Sequence, residues 1–273
     1  MTSESETFKF VEIEKNYFTL DPQGTAANRI AGAIRWYSAN FSPKAVPRFY
    51  DAGSLTENPQ VFKLVIDVLV TRYSNLPAGE RPTHILGYDA RGFLLGTPVA
   101  LGLGIPFVML RKDNKSPGVL CKSSTYTKEY AEAKDDAMVL RVDSLKPDSR
   151  VVLIDDLIAT GGTAISGFEL CKMLNARVVE FCAVIGIPGL DGVKKIHEYH
   201  NGFYKDVNVF TLIHDSIVSD QSCGDPVAWP KDKSRLIAPD EALEIRRNLL
   251  HGPLSPAVVP KSSGSKIEDE VKI

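Results

Sequence analysis

Residues 151–163 read Val151-Val152-Leu153-Ile154-Asp155-Asp156-Leu157-Ile158-Ala159-Thr160-Gly161-Gly162-Thr163. The four apolar residues predict a buried strand that delivers two adjacent carboxylates to the edge of a sheet. The hydroxyl residues and glycines that follow open a helix predicted over residues 162–174, whose N-terminal N–H groups can surround an anion. The pattern therefore indicates a cradle for one phosphate beside carboxylates that can bind sugar hydroxyls, as a phosphorylated ribose requires.

Two other phosphate-binding patterns do not fit this loop. No Gly-Lys-Ser/Thr follows the glycines, which excludes a Walker A loop, and the dinucleotide fingerprint GxGxxG is absent. The remaining alternative is an ordinary strand–turn–helix with a Gly-rich turn. That alternative leaves two aspartates at the end of a buried strand without a structural purpose, and burying such groups is costly.

Short apolar runs alternate with helical patterns on both sides of this loop. Strands are predicted at residues 84–87, 106–110, 151–154, 178–187 and 208–213, and helices at 24–37, 58–73, 92–102 and 162–174. Residues 38–55 read as irregular and residues 111–125 as a mobile loop. The alternation predicts an α/β fold with a mostly parallel sheet, whose ligands bind where the strands end.

The composition excludes several classes of protein. Lys plus Arg is 32 and Asp plus Glu is 34 in 273 residues, for a net charge of −2, which argues against a uniformly basic nucleic-acid-binding protein. The four cysteines form no CxxC pair and favour a reducing compartment. With no long apolar run and an acidic N-terminus, we expect a cytoplasmic protein without a membrane partner. The terminal Val271-Lys272-Ile273 distantly resembles a peroxisomal address, which leaves a peroxisome-like organelle as the alternative.

The stretch at 151–163 resembles the phosphoribosyl-pyrophosphate (PRPP) signature of the type I phosphoribosyltransferases. Three further segments resemble the adenine-specific members of that family. They are residues 87–93, residues 107–112 with 115–118, and residues 124–130. The resemblance covers residues 40–215, and its segments occur in the same order as in the family. Residues 45–49 and 222–225 are more similar to long protozoan members that have a C-terminal extension.

The resemblance implies an enzyme of purine salvage that converts adenine and PRPP to AMP and pyrophosphate, with Mg²⁺ as cofactor, as a homodimer. The implied fold is a central, mostly parallel sheet flanked by helices, with a small base-binding hood. The implied divisions are an N-terminal arm and hood at 1–55, a catalytic core at 56–214 and a C-terminal extension at 215–250. The prolines, glycines and serines of residues 251–265 predict a disordered tail at 251–273.

Each candidate site residue has a role in the implied reaction. Asp155 and Asp156 would hold the ribose hydroxyls, directly or through the hydration shell of Mg²⁺. Glu129 would take the proton that adenine loses as it attacks C1′, or stabilise the charge of the transition state. The other candidates are Ala159, Thr160, Gly161, Gly162 and Thr163 for the 5′-phosphate, Arg91, Arg111, Lys112 and Lys115 for pyrophosphate, with Arg91 also catalytic, and Arg48 and Phe49 for adenine.

Two alternatives stay open at this point. A phosphoribosyltransferase for another purine base would usually carry Lys and Asp soon after the phosphate loop, and residues 176–215 lack that pattern; an orotate enzyme is poorly matched at 112–115. A PRPP-binding regulator or non-catalytic paralogue would use the fold without the chemistry. The acidic N-terminus offers no DNA-binding module, and the presence of Glu129, Arg91 and both aspartates favours the enzyme.

Overall fold

A computed structural model describes residues 7–43, 46–112, 116–124, 137–187 and 189–225, with positions 238, 239, 241–243 and 246 in addition. Contacts divide the chain into two units, residues 1–224 and residues 225–273. Three sequence-based predictions lie outside the described residues: the roles of Lys115 and Glu129, and the disordered tail with its terminal Val271-Lys272-Ile273.

Strands and helices alternate through the first unit. The elements are β1 (Phe10–Glu14), β2 (Tyr17–Leu20), α1 (Thr25–Ala33), β3 (Arg35–Tyr37), β4 (Phe49–Asp51), α2 (Pro59–Ser74), β5 (His84–Tyr88), α3 (Arg91–Leu103), β6 (Phe107–Lys112), β7 (Leu120–Lys122), β8 (Met138–Arg141), β9 (Arg150–Ile154), β10 (Leu157–Ile158), α4 (Gly162–Met173), β11 (Arg177–Gly186), α5 (Gly192–Gly202) and β12 (Asn208–Ile213). None of the described helices combines the length and apolar character needed to cross a bilayer.

The central sheet has the order β1-β2-β12-β11-β9-β5-β6-β8-β7, and β10 pairs with β11. The strands from β2 to β6 in that order run parallel, while β1, β8 and β7 pair antiparallel at the two edges. The structure therefore confirms the predicted α/β fold with a mostly parallel sheet. Because β5 and β9 are parallel neighbours, the turns that follow them meet at one edge of the sheet.

Three sequence-based predictions of local structure are wrong. The helix predicted over 24–37 ends at Ala33, because residues 35–37 form strand β3, which pairs with β4. Strand β4 itself lies within residues 38–55, which were predicted as irregular. The predicted loop at 111–125 contains the end of β6 and the whole of β7, which pairs with β8. Short strands of this kind form through distant partners, so a local pattern does not reveal them.

Helix α2 confirms the start predicted at Asn58-Pro59. The Asn58 side chain accepts the N–H of Val61, and the proline occupies the first turn, where it breaks no hydrogen bond. Its inner face is buried through Val65, Val68 and other apolar residues. The helix thus covers one face of the sheet and ends near a buried ion pair.

The buried ion pair joins α2 to β11. Glu180 is only 3% exposed and accepts hydrogen bonds from Arg72 Nε at 2.8 Å and from Arg72 Nη2 at 2.5 Å. Tyr73 donates its hydroxyl to the same carboxylate at 3.0 Å. The Arg72 guanidinium also lies 4.2 Å from the ring centre of Phe210. A buried carboxylate of this kind is stable only while its donors remain in place.

We expect Tyr73→Phe to lower the free energy of unfolding by about 2 kcal/mol, since it removes a hydrogen bond to a buried charge. Urea unfolding measures the change, and Lys63→Ala is the control. Lys63 forms an exposed pair with Asp67, at 2.6 Å, whose loss should cost at most about 0.5 kcal/mol. Equal effects of the two substitutions would contradict the prediction.

Candidate active site

A cavity of about 300 Å³ lies where β5 and β9 end. Its walls include Arg48, Phe49, Arg91, Lys112 and the segment from Asp155 to Thr163. The structure thus brings together all but one of the described residues that were predicted for the site. The exception is Arg111, which does not line this cavity.

Arg111 lines a separate cavity of about 450 Å³ with Met109, Ser116 and Pro117. Lys112, its neighbour on β6, lines the central cavity instead. Arg111 and Lys112 are successive residues of β6, and successive side chains extend from opposite sides of a sheet, which favours their lining different cavities.

The two aspartates differ in their environments. Asp156 has a side chain that is only 11% exposed, and its Oδ2 accepts a hydrogen bond from Arg91 Nη1 at 2.8 Å. Asp155 Oδ1 accepts the backbone N–H of Asp156 at 2.9 Å. Burial and the adjacent Asp156 carboxylate raise the pKa of Asp155 well above its ordinary value. Asp156 is therefore paired with an arginine, while Asp155 takes up a proton more readily than an ordinary aspartate.

Close approach of backbones places Arg91 beside these aspartates. Helix α3 begins at Arg91, directly after the turn that ends β5, and Gly92 packs against the end of β9. A Cβ atom on Gly92 would stand 2.3 Å from the carbonyl oxygen of Ile154, which is backbone and cannot move aside. Glycine at this position is therefore a condition for the contact between Arg91 and Asp156.

The phosphate loop is held between β11 and α5. Strand β10 pairs with Ile185 and Gly186, and Gly161 adopts a φ of +82° directly before α4. A Cβ atom on Gly161 would stand 2.7 Å from the carbonyl oxygen of Gly192. Because Gly161 has no side chain, it cannot cap the first N–H groups of α4, and an anion can accept hydrogen bonds from them.

The side of the cavity that carries Arg48 and Phe49 is built from the small β3–β4 sheet. The Arg48 guanidinium lies 4.7 Å from the ring centre of Trp36, and its Nη2 donates to Asp220 Oδ1 at 2.7 Å. Phe49 is half-buried in β4 and lines the cavity. The half-buried guanidinium is thus held by an aromatic ring and a carboxylate outside the cavity.

Sequence reasoning missed several wall residues and the partner of Arg48. Asp89, Ile187 and Leu190 line the cavity, and Asp220 binds Arg48 from a distance of 172 residues along the chain. The position of Ile187 directly after β11 could have indicated its place, because neighbouring parallel strands end at the same edge. Asp220 carried no comparable signal.

The carboxylates of Asp155 and Asp156 lie where a cation bound in this cavity could contact them. Among the described residues, no group of three or more His, Cys, Asp or Glu side chains could hold a metal ion. Asp155 and Asp156 do offer carboxylate oxygens, the donors that Mg²⁺ prefers, and this ion usually keeps several waters and binds substrate phosphates.

Comparisons with known proteins agree with this geometry. The family model described as phosphoribosyl transferase domain matches residues 51–226. The adenine phosphoribosyltransferase of Haemophilus ducreyi is 39% identical over 171 residues, which cover 63% of this chain and 88% of the relative. The adenine phosphoribosyltransferase of Paracidovorax citrulli is 42% identical over 156 residues, which cover 57% of this chain and 82% of the relative.

Solved structures are similar over more of the chain. The adenine phosphoribosyltransferase of Trypanosoma brucei, solved in complex with AMP, pyrophosphate and ribose-5-phosphate, superposes with a TM-score of 0.80 at 43% identity, covering 87% of this chain and 99% of that one. The enzyme from Leishmania donovani superposes with a TM-score of 0.80 at 42% identity and the same coverage. By sequence and by structure, the chain belongs to the phosphoribosyltransferase family, among its adenine phosphoribosyltransferases.

Proposed function

We propose that the protein catalyses the Mg²⁺-dependent transfer of a phosphoribosyl group from PRPP to adenine, with AMP and pyrophosphate as products. The observation that carries this proposal is the meeting of the phosphate loop, the aspartate pair and Arg91 in one cavity. These groups supply partners for the 5′-phosphate, the ribose hydroxyls and the pyrophosphate of one substrate. The T. brucei relative was solved with ligands that contain the same three chemical groups.

The chain's own residues suit the charges that develop in this reaction. The bond between C1′ and the pyrophosphate oxygen breaks as a bond forms between C1′ and the N9 atom of adenine, so negative charge grows on the leaving group. Arg91 and Lys112 face that charge from the cavity wall, and Arg91 is oriented by Asp156. Mg²⁺ bound to PRPP would neutralise part of the same charge, and the carboxylates of Asp155 and Asp156 suit its hydration shell.

Adenine is assigned to the side of the cavity that carries Arg48 and Phe49. The ring of Phe49 can stack on a purine face, and the neighbouring backbone can read the 6-amino group. Glu129 is assigned the proton that leaves N9, by the resemblance of residues 124–130 to the adenine-specific enzymes.

The deciding experiment offers several bases to the purified protein. PRPP and Mg²⁺ are mixed with labelled adenine, hypoxanthine, guanine or orotate, and nucleotide formation is measured. We expect nucleotide from adenine alone. Nucleotide from hypoxanthine or guanine in place of adenine would instead indicate an enzyme for another purine base. No nucleotide from any base, with PRPP still bound, would indicate a non-catalytic PRPP-binding protein.

We further propose a homodimer that uses the outer face of α3 and β6. Leu94 and Leu101 are seven residues apart on α3, so they share one face, and they are 52% and 82% exposed. Met109 on β6 is 50% exposed and lines the same cavity as Arg111. Covering this apolar face with a second copy would remove it from water. Arg111 would then face the partner, which suits its assignment to pyrophosphate in a neighbouring site.

We expect Leu101→Lys combined with Met109→Lys to convert the dimer to a monomer, because two charges would be buried without partners. Sedimentation at several protein concentrations measures the mass. Leu243→Lys is the matched control. Leu243 is also exposed, at 47%, but it belongs to the second unit of the chain, residues 225–273. A wild-type protein that sediments as a monomer at all concentrations would contradict the dimer.

A further inference from the structure

Residues 218–224, which follow β12, are bound to the small β3–β4 sheet. Val218 is only 5% exposed and fixes the start of this segment in the apolar core. Trp36 on β3 donates its Nε1–H to the carbonyl oxygen of Ser219 at 3.1 Å, and its own carbonyl oxygen accepts the Gly224 N–H at 2.7 Å. Trp36 is therefore bound to the segment through both its side chain and its main chain.

The small sheet gains a third stretch of chain in this way. Strands β3 and β4 have three residues each, and an isolated pair of strands is at best marginally stable in water. Cys223 pairs with Trp36 in parallel orientation, and a Cβ atom on Gly224 would stand 2.6 Å from Arg35 Cδ and 2.8 Å from Tyr37 Cε1. The close approach shows that residues 223–224 pack directly on β3, so they stabilise the cavity wall that β4 forms.

Arg48 connects this segment to the central cavity. Its Nη2 donates to Asp220 Oδ1 at 2.7 Å, and its guanidinium lies 4.7 Å from the ring centre of Trp36. Burial raises the pKa of Tyr50, and a hydrogen bond donated by Arg48 opposes that rise. Arg48 and Tyr50 line the central cavity, whereas Asp220 does not. Of the three groups that hold the guanidinium, Asp220 is the carboxylate, and it acts from outside the cavity.

An arginine that is held before the base arrives binds the base at a lower cost. The guanidinium has five N–H donors in a fixed plane, and the ring nitrogens of adenine are acceptors. A free arginine side chain would lose rotamer freedom on binding, which weakens affinity. The Asp220 side chain is 88% exposed and that of Arg48 is 36% exposed, so neither charge needs a partner because of burial. The pair is therefore better explained by orientation than by charge neutralisation.

We propose that Asp220 is a positioning residue for the nucleobase, which holds Arg48 in the orientation that meets adenine. Residues 218–224 thereby set the affinity for the base without contacting it. The proposal rests on the function proposed above. An exposed ion pair without this role would leave the affinity for adenine unchanged when it is broken.

The test is Asp220→Asn, which keeps the shape of the side chain and removes its charge. We expect KM for adenine at saturating PRPP to rise about fivefold, the scale of an exposed ion pair, while kcat and KM for PRPP change less than twofold. Asp220→Glu keeps the charge and should restore KM to within twofold of wild type. Asp206→Asn is the matched control: Asp206 is 73% exposed, lies 4.0 Å from Lys15 and is outside the cavity, so all three constants should stay unchanged.

Two further measurements show whether the effect passes through Arg48. In an Arg48→Ala background, adding Asp220→Asn should change KM for adenine less than twofold, because the group that it positions is gone. Salt screens an exposed ion pair, and adenine is uncharged. Raising NaCl to about 1 M should therefore increase KM for adenine in the wild type, but not in Asp220→Asn or Arg48→Ala.

A KM for adenine within twofold of wild type in Asp220→Asn would overturn the proposal. The same rise in the presence and absence of the Arg48 side chain would also overturn it, as would an equal rise in KM for PRPP, which would mean that the whole cavity had changed. A wild-type protein that makes no AMP refutes the proposed function instead, a result distinct from these. If Asp220→Asn does not fold, the salt response of the wild type against that of Arg48→Ala decides, and equal responses overturn the proposal.

Discussion

The double substitution Asp155→Asn with Asp156→Asn is expected to weaken PRPP binding by at least about 100-fold. Each carboxylate offers charge-assisted hydrogen bonds to a ribose hydroxyl or to hydrated Mg²⁺, and two such bonds account for that factor. The substitution also removes the acceptor that Arg91 binds at 2.8 Å, so the arginine loses its orientation toward the pyrophosphate. Titration calorimetry with PRPP and Mg²⁺ measures the loss.

The matched control for this double variant is Asp67→Asn with Asp143→Asn. The control changes the net charge by the same amount as the double variant at the cavity. Asp67 and Asp143, however, lie outside the cavity, and their side chains are 47% and 74% exposed. The control should bind PRPP with wild-type affinity. Normal affinity in the variant that lacks both cavity aspartates would remove the assignment of these residues to the ribose.

The pH dependence of stability tests the raised pKa of Asp155 separately, with a single variant. The folded-state pKa of Asp155 is raised, so its stabilising contribution is complete below the ordinary value of 3.8 and is lost as the pH rises through the raised pKa. An asparagine side chain at this position does not titrate. In the ligand-free protein, we therefore expect the single variant Asp155→Asn to gain in thermal stability relative to wild type as the pH rises from 3.8. A difference that is constant over this range would contradict the raised pKa.

Glu129→Gln is expected to lower turnover by about 100-fold, the scale of general base catalysis. Glutamine keeps the length of the side chain but cannot accept the proton that adenine gives up. Affinity for PRPP should change less than twofold, because the phosphate loop and the aspartate pair provide the contacts to that substrate. Single-turnover measurements with saturating PRPP and adenine separate the chemical step from product release.

Glu198→Gln serves as the control, because Glu198 is an exposed glutamate outside the cavity. Unchanged turnover in Glu129→Gln would remove Glu129 from the mechanism. A fall in PRPP affinity that matches the fall in turnover would assign Glu129 to substrate binding instead.

Local signals in the sequence were sufficient for the strand, turn and helix of the phosphate loop. Residues 151–154 lie within β9, and α4 begins at Gly162, as predicted. The start of α2 at Pro59 was equally clear, because an N-cap asparagine followed by proline acts within one turn of helix. Such elements were predictable because the residues that determine them are neighbours in the chain.

The sequence by itself determined the α/β class, the phosphate loop and the pair of carboxylates beside it, since buried strands, glycine turns and helix caps depend on adjacent residues. Only the tertiary structure decided that Arg91 binds Asp156 from 65 residues away, that Lys112 rather than Arg111 faces the cavity, and that Asp220 binds Arg48 from 172 residues away. These contacts depend on sheet order, on the side of a strand from which each side chain extends, and on how closely α3 and α4 approach the sheet. Packing between distant segments sets all three, and no local pattern encodes it.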